Sequence, residues 1–82
     1  MYVVYILYSE IFDSFYIGYS ANVENRVHQH NLGLTKSTKN KIPWRLAYSE
    51  AFDSKMEAIR RERFLKAQKS KPFYKKLCNI SL

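Results

Sequence analysis

The chain has 82 residues, a length that admits one hydrophobic core and predicts a single domain over residues 1–82. Hydrophobic residues make up 46% of the sequence and charged residues 26%, a globular balance that excludes a disordered chain. The single cysteine, Cys78, excludes an internal disulfide, and the lack of a leader or of an apolar run of about 20 residues predicts a cytoplasmic protein without a membrane segment.

The net charge of +7 is concentrated in the second part of the chain. Residues 1–35 contain one basic and three acidic side chains, whereas residues 36–82 contain thirteen basic and four acidic ones. A basic half on a small domain predicts a polyanionic partner, most simply nucleic acid. Lysines that serve only solubility would give the same composition, so composition leaves both interpretations open.

Two strands and a helix are predicted in the first part of the chain. Residues 2–8 form an uncharged apolar and aromatic run, which predicts a strand buried on both faces at the centre of a sheet. Residues 15–19 predict a second strand, so the pair most simply forms an antiparallel hairpin. A helix is predicted over residues 23–32, with Asn22 or Ser20 as its capping residue.

The second part of the chain predicts a loop, a strand and two helices. Residues 33–43 lack apolar periodicity and carry three lysines, which predicts a mobile basic loop. Residues 46–49 predict a third strand. A capping box that begins at Ser54 predicts a helix to about Gln68, and a shorter helix is predicted around Pro72. The resulting order β-β-α-β-α-α, without a βαβ repeat, predicts an α+β fold.

Two polar residues of the first predicted helix face the interior. Arg26 and His30 are four residues apart and share a helical face with Val23 and Val27. This placement suits a site that needs a cation and a titratable group. It equally suits an arginine that pairs with a carboxylate and a histidine with satisfied hydrogen bonds at the core boundary.

Glu62 interrupts the apolar stripe of the long predicted helix. Carboxylates are seldom fully buried without a partner, so Glu62 is a candidate functional group. Lys66 lies one helical turn later and offers a simple surface ion pair as the alternative.

Tyr5 and Tyr16 are predicted to lie near each other on one face of the sheet, with Gly18 on the same face. A glycine inside a strand often marks the close approach of another group, although aromatic packing alone would explain the tyrosines. Together with the arginine, histidine and glutamate, these groups suit phosphodiester hydrolysis. That reaction needs a metal on a hard oxygen ligand, a cation for the developing charge and a group that activates water.

The same residues resemble the motifs of the GIY-YIG nuclease domain. The tripeptide VVY at residues 3–5 is followed, eleven residues after its tyrosine, by YIG at residues 16–18. Arg26 lies where the family has its helix arginine, and RRE at residues 60–62 resembles the segment with the metal-binding glutamate. The resemblance runs from residue 2 to about residue 68 and is greatest to the small stand-alone bacterial members.

The resemblance implies a three-stranded antiparallel sheet flanked by helices and an enzyme that cleaves nucleic acid with one divalent cation. That cation is usually Mg²⁺, with Mn²⁺ as another candidate. Glu62 would hold the metal, and Arg26 would stabilise charge in the transition state. Tyr5 would be the base that acts on water, and Tyr16 would orient groups in the same pocket. His30 would contact phosphate or relay a proton.

Two departures from the family pattern bear on these roles. Val3 stands where the motif has glycine, and Tyr19 follows YIG where some members have lysine or histidine. Tyr19 leaves the identity of the base open, because a free tyrosine with a pKa near 10 is a poor base at neutral pH. Family nucleases usually carry a further DNA-binding domain, and a chain of this length is expected to have no room for one.

Contacts to the nucleic acid backbone are predicted for five basic residues: Lys36, Lys39, Lys41, Arg60 and Arg61. The leading functional hypothesis is an endonuclease acting on DNA, with repair or recombination intermediates as candidate substrates. The alternative is a nucleic-acid-binding module or adaptor with the same fold and little or no catalysis. A protein-interaction domain whose charge serves solubility is a third hypothesis.

Overall fold

The central element of the fold is strand β1, Tyr2–Ser9, in a computed structural model that describes residues 1–81. Strands β2, Ser14–Ser20, and β3, Arg45–Phe52, flank it in the order β2-β1-β3, and both pair with it in antiparallel register. The predicted hairpin and the predicted central position of the first strand are confirmed. Central placement explains why the first strand is an uninterrupted apolar run, since both of its faces are covered.

Three helices follow in the predicted order, so the α+β fold with a three-stranded antiparallel sheet is confirmed. They are α1, Val23–Asn31, α2, Lys55–Gln68, and α3, Lys71–Leu77. Each begins after a residue whose side chain accepts a backbone N–H of the first turn. These capping residues are Asn22, Ser54 and Ser70.

The two faces of the sheet carry separate hydrophobic clusters. Val4 and Ile6 of β1 pack with Ala58 and Leu65 of α2 and with Tyr74 of α3. The alternate residues Tyr5 and Leu7 pack on the opposite face with Trp44, beside Val23 and Val27 of α1. Side chains of a strand alternate between the two faces of the sheet. Tyr5 therefore lies on the face that α1 covers, and the adjacent Val4 and Ile6 lie on the face that α2 covers.

The segment between α1 and β3 contains structure that the prediction of a loop did not include. It contains a short 3₁₀ helix, Lys39–Lys41, and Thr38 is fully buried. The indole N–H of Trp44 donates to the carbonyl oxygen of Thr38 at 2.9 Å, while the Asn31 side chain donates to the Trp44 carbonyl at 2.9 Å and accepts its N–H at 2.7 Å. The segment is therefore attached to α1 and to the start of β3 by contacts that no local pattern encodes, and its mobility stays a prediction.

Strand β3 is also longer than the predicted residues 46–49, because pairing with β1 extends it at both ends. Among residues 1–81, no helix combines the length and the apolar character that crossing a membrane requires.

Candidate active site

Tyr5 and Tyr16 lie on the same face of the sheet, as predicted from strand alternation. Tyr5 is opposite Gly18 in the β1–β2 register, and Tyr16 precedes Gly18 by two residues. The two tyrosine ring centroids are 6.4 Å apart. A Cβ atom at Gly18 would lie 2.7 Å from the Tyr5 hydroxyl oxygen and 3.2 Å from Cε2 of Tyr16. Glycine at position 18 therefore leaves space for both phenol rings. The groups that approach β2 closely at this glycine are the side chains of Tyr5 and Tyr16.

His30, in the last turn of α1, lies directly against the two tyrosines. Its side chain is fully buried, Nε2 lies 3.1 Å from the Tyr5 hydroxyl oxygen, and its ring centroid is 4.8 Å from that of Tyr16. The other ring nitrogen, Nδ1, lies 2.7 Å from Oγ1 of Thr38. Both nitrogens are thus occupied within the protein, so His30 is a satisfied buried histidine that contacts a candidate catalytic hydroxyl.

The tautomer of His30 follows from the hydrogen bonds of Thr38. The Thr38 hydroxyl donates to the carbonyl oxygen of Thr35 at 3.4 Å, which leaves Oγ1 to accept from His30 Nδ1–H. We therefore assign the proton of neutral His30 to Nδ1. Nε2 then accepts from the Tyr5 hydroxyl, so the hydrogen bonds run in one direction from Tyr5 to Thr35.

Burial and nearby charges shift the titration of both partners in this contact. Burial, with additional repulsion from Tyr16 and Glu62, raises the pKa of Tyr5 to about 12, and the nearby Arg26 guanidinium opposes the shift. Burial and the Arg26 charge lower the pKa of His30. At neutral pH the pair is therefore an un-ionised phenol that donates to an un-ionised imidazole.

Arg26 occupies the same face of α1 as His30, as the helical spacing predicted. Its Nη1 donates to Oε1 of Gln29 at 3.0 Å, and its charge acts on both Tyr5 and His30. Within residues 1–81 no carboxylate pairs with the guanidinium, so the alternative of a boundary ion pair is not observed for Arg26. The guanidinium charge therefore acts on the phenol and the imidazole without a carboxylate partner among the described residues.

Glu62 lies on α2 with its side chain 14% exposed. Its Oε2 is 3.5 Å from Nζ of Lys66, so the ion pair considered as the alternative does form. The negative charge of Glu62 also contributes to the raised pKa of Tyr5. The carboxylate therefore has both a structural partner and an electrostatic connection to the candidate site.

The carboxylates near the candidate site suit a weakly held divalent cation better than a dedicated metal centre. Residues 1–81 contain no cluster of three or more histidine, cysteine, aspartate or glutamate side chains. Mg²⁺ commonly keeps several water ligands and is held by one or two carboxylates together with substrate phosphate oxygens. A single, partly buried carboxylate such as Glu62 fits that requirement, whereas it would not suit a dedicated multi-ligand site for zinc.

Comparison with known proteins agrees with the motif positions. Residues 1–77 match the profile described as the GIY-YIG catalytic domain. The chain belongs to this family. This confirms the resemblance seen in the VVY and YIG tripeptides, although the match by itself assigns no substrate to the chain.

Proteins similar to the GIY-YIG chain include UPF0213 proteins of bacteria. The chain is 46% identical over 52 residues to UPF0213 protein SAG0778 of Streptococcus agalactiae, which covers 62% of this chain and 59% of that protein. It is 51% identical over 51 residues to UPF0213 protein SH2523 of Staphylococcus haemolyticus, covering 61% and 62%. The matched region thus spans about six tenths of the length of these curated relatives.

A solved structure has the same fold. The solution NMR structure of the UPF0213 protein BH0048 from Bacillus halodurans superposes with a TM-score of 0.57 at 36% sequence identity. The similarity covers 96% of this chain and 84% of that one. The likeness supports the strand and helix arrangement of the GIY-YIG domain described above.

The five basic residues predicted to contact nucleic acid differ in their surroundings. Lys36, Lys39 and Lys41 are exposed around the 3₁₀ helix, and Arg60 is exposed on α2. Arg61 is different: its Nε lies 3.3 Å from Oε2 of Glu50, and its guanidinium lies over the Phe64 ring at 5.2 Å from the centroid. The structure therefore gives Arg61 an intramolecular role that sequence reasoning did not anticipate.

Sequence reasoning also missed the residues that support His30. Thr38 is one of several polar residues in a segment without periodicity, and no local signal distinguishes it. Asn31 and Trp44 fix the two ends of this segment by the paired hydrogen bonds described above. Only the long-range contact between α1 and the start of β3 reveals these roles.

Proposed function

We propose that this chain is a metal-dependent endonuclease that hydrolyses phosphodiester bonds of nucleic acid. DNA is the proposed substrate, with repair or recombination intermediates as the first candidates. One observation carries the proposal: the Tyr5 hydroxyl oxygen lies 3.1 Å from Nε2 of the buried His30, while the charges of Arg26 and Glu62 act on the same phenol. A hydroxyl, a base, a free cation and a carboxylate within one electrostatic environment are the groups that phosphodiester hydrolysis requires.

The contact with His30 supports a role for Tyr5 as the group that receives a proton from water. A tyrosine with a pKa of about 12 would rarely act as a phenolate at neutral pH. With its own proton directed at Nε2 of His30, the phenol oxygen keeps a lone pair for the proton of an attacking water. As the water proton arrives, the Tyr5 proton moves to His30, and Tyr5 never ionises.

Arg26 and Tyr16 complete the protein contribution. The guanidinium of Arg26 offers planar, two-point hydrogen bonding to phosphate oxygens and stabilises the charge that develops on them. Its bond to Gln29 limits its freedom, which reduces the entropy lost when a phosphate binds. Tyr16 lies beside both Tyr5 and His30, and we propose that it orients the attacked phosphate or the water.

Glu62 is the proposed ligand of Mg²⁺, or of Mn²⁺, with water and substrate oxygens completing the coordination. When bound, the cation would neutralise phosphate charge and polarise the phosphoryl group. Ligation would compete with the ion pair to Lys66, which is only half buried and therefore weak enough to be replaced.

The test is nicking of supercoiled plasmid and of a panel of branched and linear DNA substrates, with Mg²⁺ and with EDTA. The expected result is cleavage that needs Mg²⁺ and that is absent from a parallel preparation of Arg26→Ala, which controls for contaminating nuclease. Salt-dependent binding of the panel without cleavage of any member would contradict the enzyme and favour the alternative of a binding module. Absence of both binding and cleavage would contradict both proposals.

A further inference from the structure

A cleft of about 290 Å³ opens at the outer edge of strand β2, beside the candidate active site. We call it the β2-edge cleft. Three segments that are distant in sequence form it: the first residues of β2, the segment around the 3₁₀ helix, and the turn between α2 and α3. Its aromatic lining residues are Phe15, Tyr16, Trp44 and Tyr74.

Lysines from two of these segments line the cleft, and they are Lys41, Lys69 and Lys71. Nζ of Lys41 lies 3.2 Å from the Ser14 hydroxyl, and Nζ of Lys71 lies 3.6 Å from a carboxylate oxygen of Asp13. Within residues 1–81 no carboxylate pairs with Lys41 or Lys69, and no carboxylate lines the cleft. The cleft is thus electropositive and selects an anion.

The walls of the cleft are fixed by hydrogen bonds rather than assembled by a ligand. The Tyr74 hydroxyl donates to the carbonyl oxygen of Leu65 at 2.7 Å and accepts the backbone N–H of Lys69 at 3.1 Å, which joins the α2–α3 turn to α2. On the opposite side, the indole of Trp44 is held by the carbonyl of Thr38. A preformed cleft loses little conformational entropy on binding.

We infer that the β2-edge cleft binds one unpaired nucleotide of the substrate strand, next to the phosphodiester that is cut; this rests on the proposed function. Trp44 and Tyr74 are buried and form the floor of the cleft, whereas the half-buried rings of Phe15 and Tyr16 offer a surface on which any base can stack. The lysines contact the phosphates that flank that base. The volume of about 290 Å³ is of the size of a single nucleotide rather than of a base pair. Tyr16 lines the cleft and also lies 4.8 Å from His30 and 6.4 Å from Tyr5 between ring centroids, so one tyrosine ring connects the cleft with the Tyr5–His30 pair.

The test measures binding by fluorescence anisotropy in EDTA, where metal-dependent cleavage cannot occur. Two labelled DNA hairpins of equal length are compared, one fully paired and one with three unpaired thymidines in its stem. We expect the wild type to bind the second hairpin roughly tenfold more tightly, since one stacked base contributes on that order. Equal affinity for the two hairpins would overturn the inference.

Matched variants then assign the preference to the cleft. Lys69→Gln with Lys71→Gln should remove most of it, whereas Lys55→Gln with Lys76→Gln, which removes the same charge from exposed helix positions, should weaken both hairpins equally and keep the ratio. Circular dichroism verifies that each variant is folded. A ratio that survives in the Lys69 and Lys71 variant, or one lost equally in both variants, would overturn the inference.

The two proposals fail separately. A protein that nicks DNA with Mg²⁺ but binds both hairpins equally contradicts the cleft assignment and keeps the endonuclease. A protein that prefers the unpaired hairpin through Lys69 and Lys71 but never cleaves supports the cleft and contradicts the endonuclease.

Discussion

The hydroxyl oxygen of Tyr5 lies 3.1 Å from Nε2 of His30, across 25 positions of sequence. The contact joins the central strand to the last turn of α1, and both partners are buried. Thr38, directly before the 3₁₀ helix, holds the imidazole of His30. A small displacement of β1, of α1 or of the segment around the 3₁₀ helix would therefore change the Tyr5–His30 hydrogen bond. The proposed chemistry therefore depends on packing as much as on the identity of the reacting groups.

Gly18→Ala should lower activity far more than stability. The added Cβ would lie 2.7 Å from the Tyr5 hydroxyl oxygen, so the phenol must shift and its 3.1 Å contact with His30 changes. Gly33→Ala is the matched control, because its Cβ meets only ordinary contacts at 3.8 Å while its φ of +78° costs about 1 kcal/mol of stability. Nicking rates and thermal unfolding of both variants check this. Wild-type nicking by Gly18→Ala would show that the position of the Tyr5 hydroxyl is not critical.

Glu62→Gln should abolish Mg²⁺-dependent cleavage and leave the fold intact, because the amide keeps the shape and loses the metal-binding charge. Lys66→Gln breaks the same 3.5 Å ion pair but keeps the carboxylate, so its cleavage should remain near that of the wild type. Nicking in Mg²⁺ and in Mn²⁺, with melting curves, distinguishes the two roles. Equal loss in both variants would mean that Glu62 acts only as the partner of Lys66.

Arg26→Lys should reduce cleavage on the order of a hundredfold although the charge is kept. A lysine ammonium cannot make the planar two-point contact with phosphate that a guanidinium makes. Arg63→Lys, at an exposed position of α2, is the control and should behave as the wild type. Single-turnover rates at saturating DNA measure the effect. Full activity of Arg26→Lys would contradict the proposed contact with phosphate and leave Arg26 only its hydrogen bond to Gln29.

Stability should depend on pH through the buried pair. The folded pKa of His30 is depressed below its ordinary 6.5, so the unfolded chain binds more protons and stability falls as pH decreases below about 6.5. The pKa of Tyr5 is about 12 in the folded chain against an ordinary 10.0, so between these values the folded chain binds more protons than the unfolded chain. Stability therefore falls as pH rises from 10 toward 12. Melting temperatures across both windows check this.

Hydrogen bonds from Tyr8 and Lys75 lower the pKa of Asp13 to about 2, so this carboxylate adds its own loss of stability below its ordinary pKa of 3.8. Between pH 6.5 and that range, the slope should disappear in His30→Gln and persist in His28→Gln. An unchanged slope there in His30→Gln would refute the assignment.

Replacing Lys36, Lys39 and Lys41 together with alanine should flatten the dependence of log affinity on log salt by about two to three units. Each phosphate contact on duplex DNA contributes close to 0.9 to that slope. Affinity should fall similarly for unrelated sequences, since backbone contacts carry no base information. A salt titration in Ca²⁺ measures it. An unchanged slope would move the predicted contacts to Arg60, because Arg61 is paired with Glu50.

The secondary structure could be predicted largely from local chemistry. The capping box at Ser54 marks the beginning of α2, and the uncharged run that becomes β1 indicated its central place. Helical spacing also placed Arg26 and His30 on one inward face. These features depend on residues close in sequence, and for that reason a single sequence is sufficient to find them.

The supports of the site could not be predicted, because they depend on contacts between distant residues. Nothing in the sequence distinguishes Thr38 from the other hydroxyl residues around it, yet its burial against His30 determines a tautomer. The Arg61–Glu50 ion pair joins α2 to β3 and is invisible without the register of the sheet. Lys69 and Lys71 enter a cleft only because the α2–α3 turn lies beside the edge of β2.

Trp44, the only tryptophan, gives this structure a built-in optical probe. Its indole N–H donates to the carbonyl of Thr38, whose side chain holds His30, and only 5% of the residue is exposed. Detachment of that segment would hydrate the indole and shift its emission to longer wavelength. Fluorescence recorded beside far-ultraviolet circular dichroism in urea would therefore separate the free energy of releasing the His30 support from that of global unfolding.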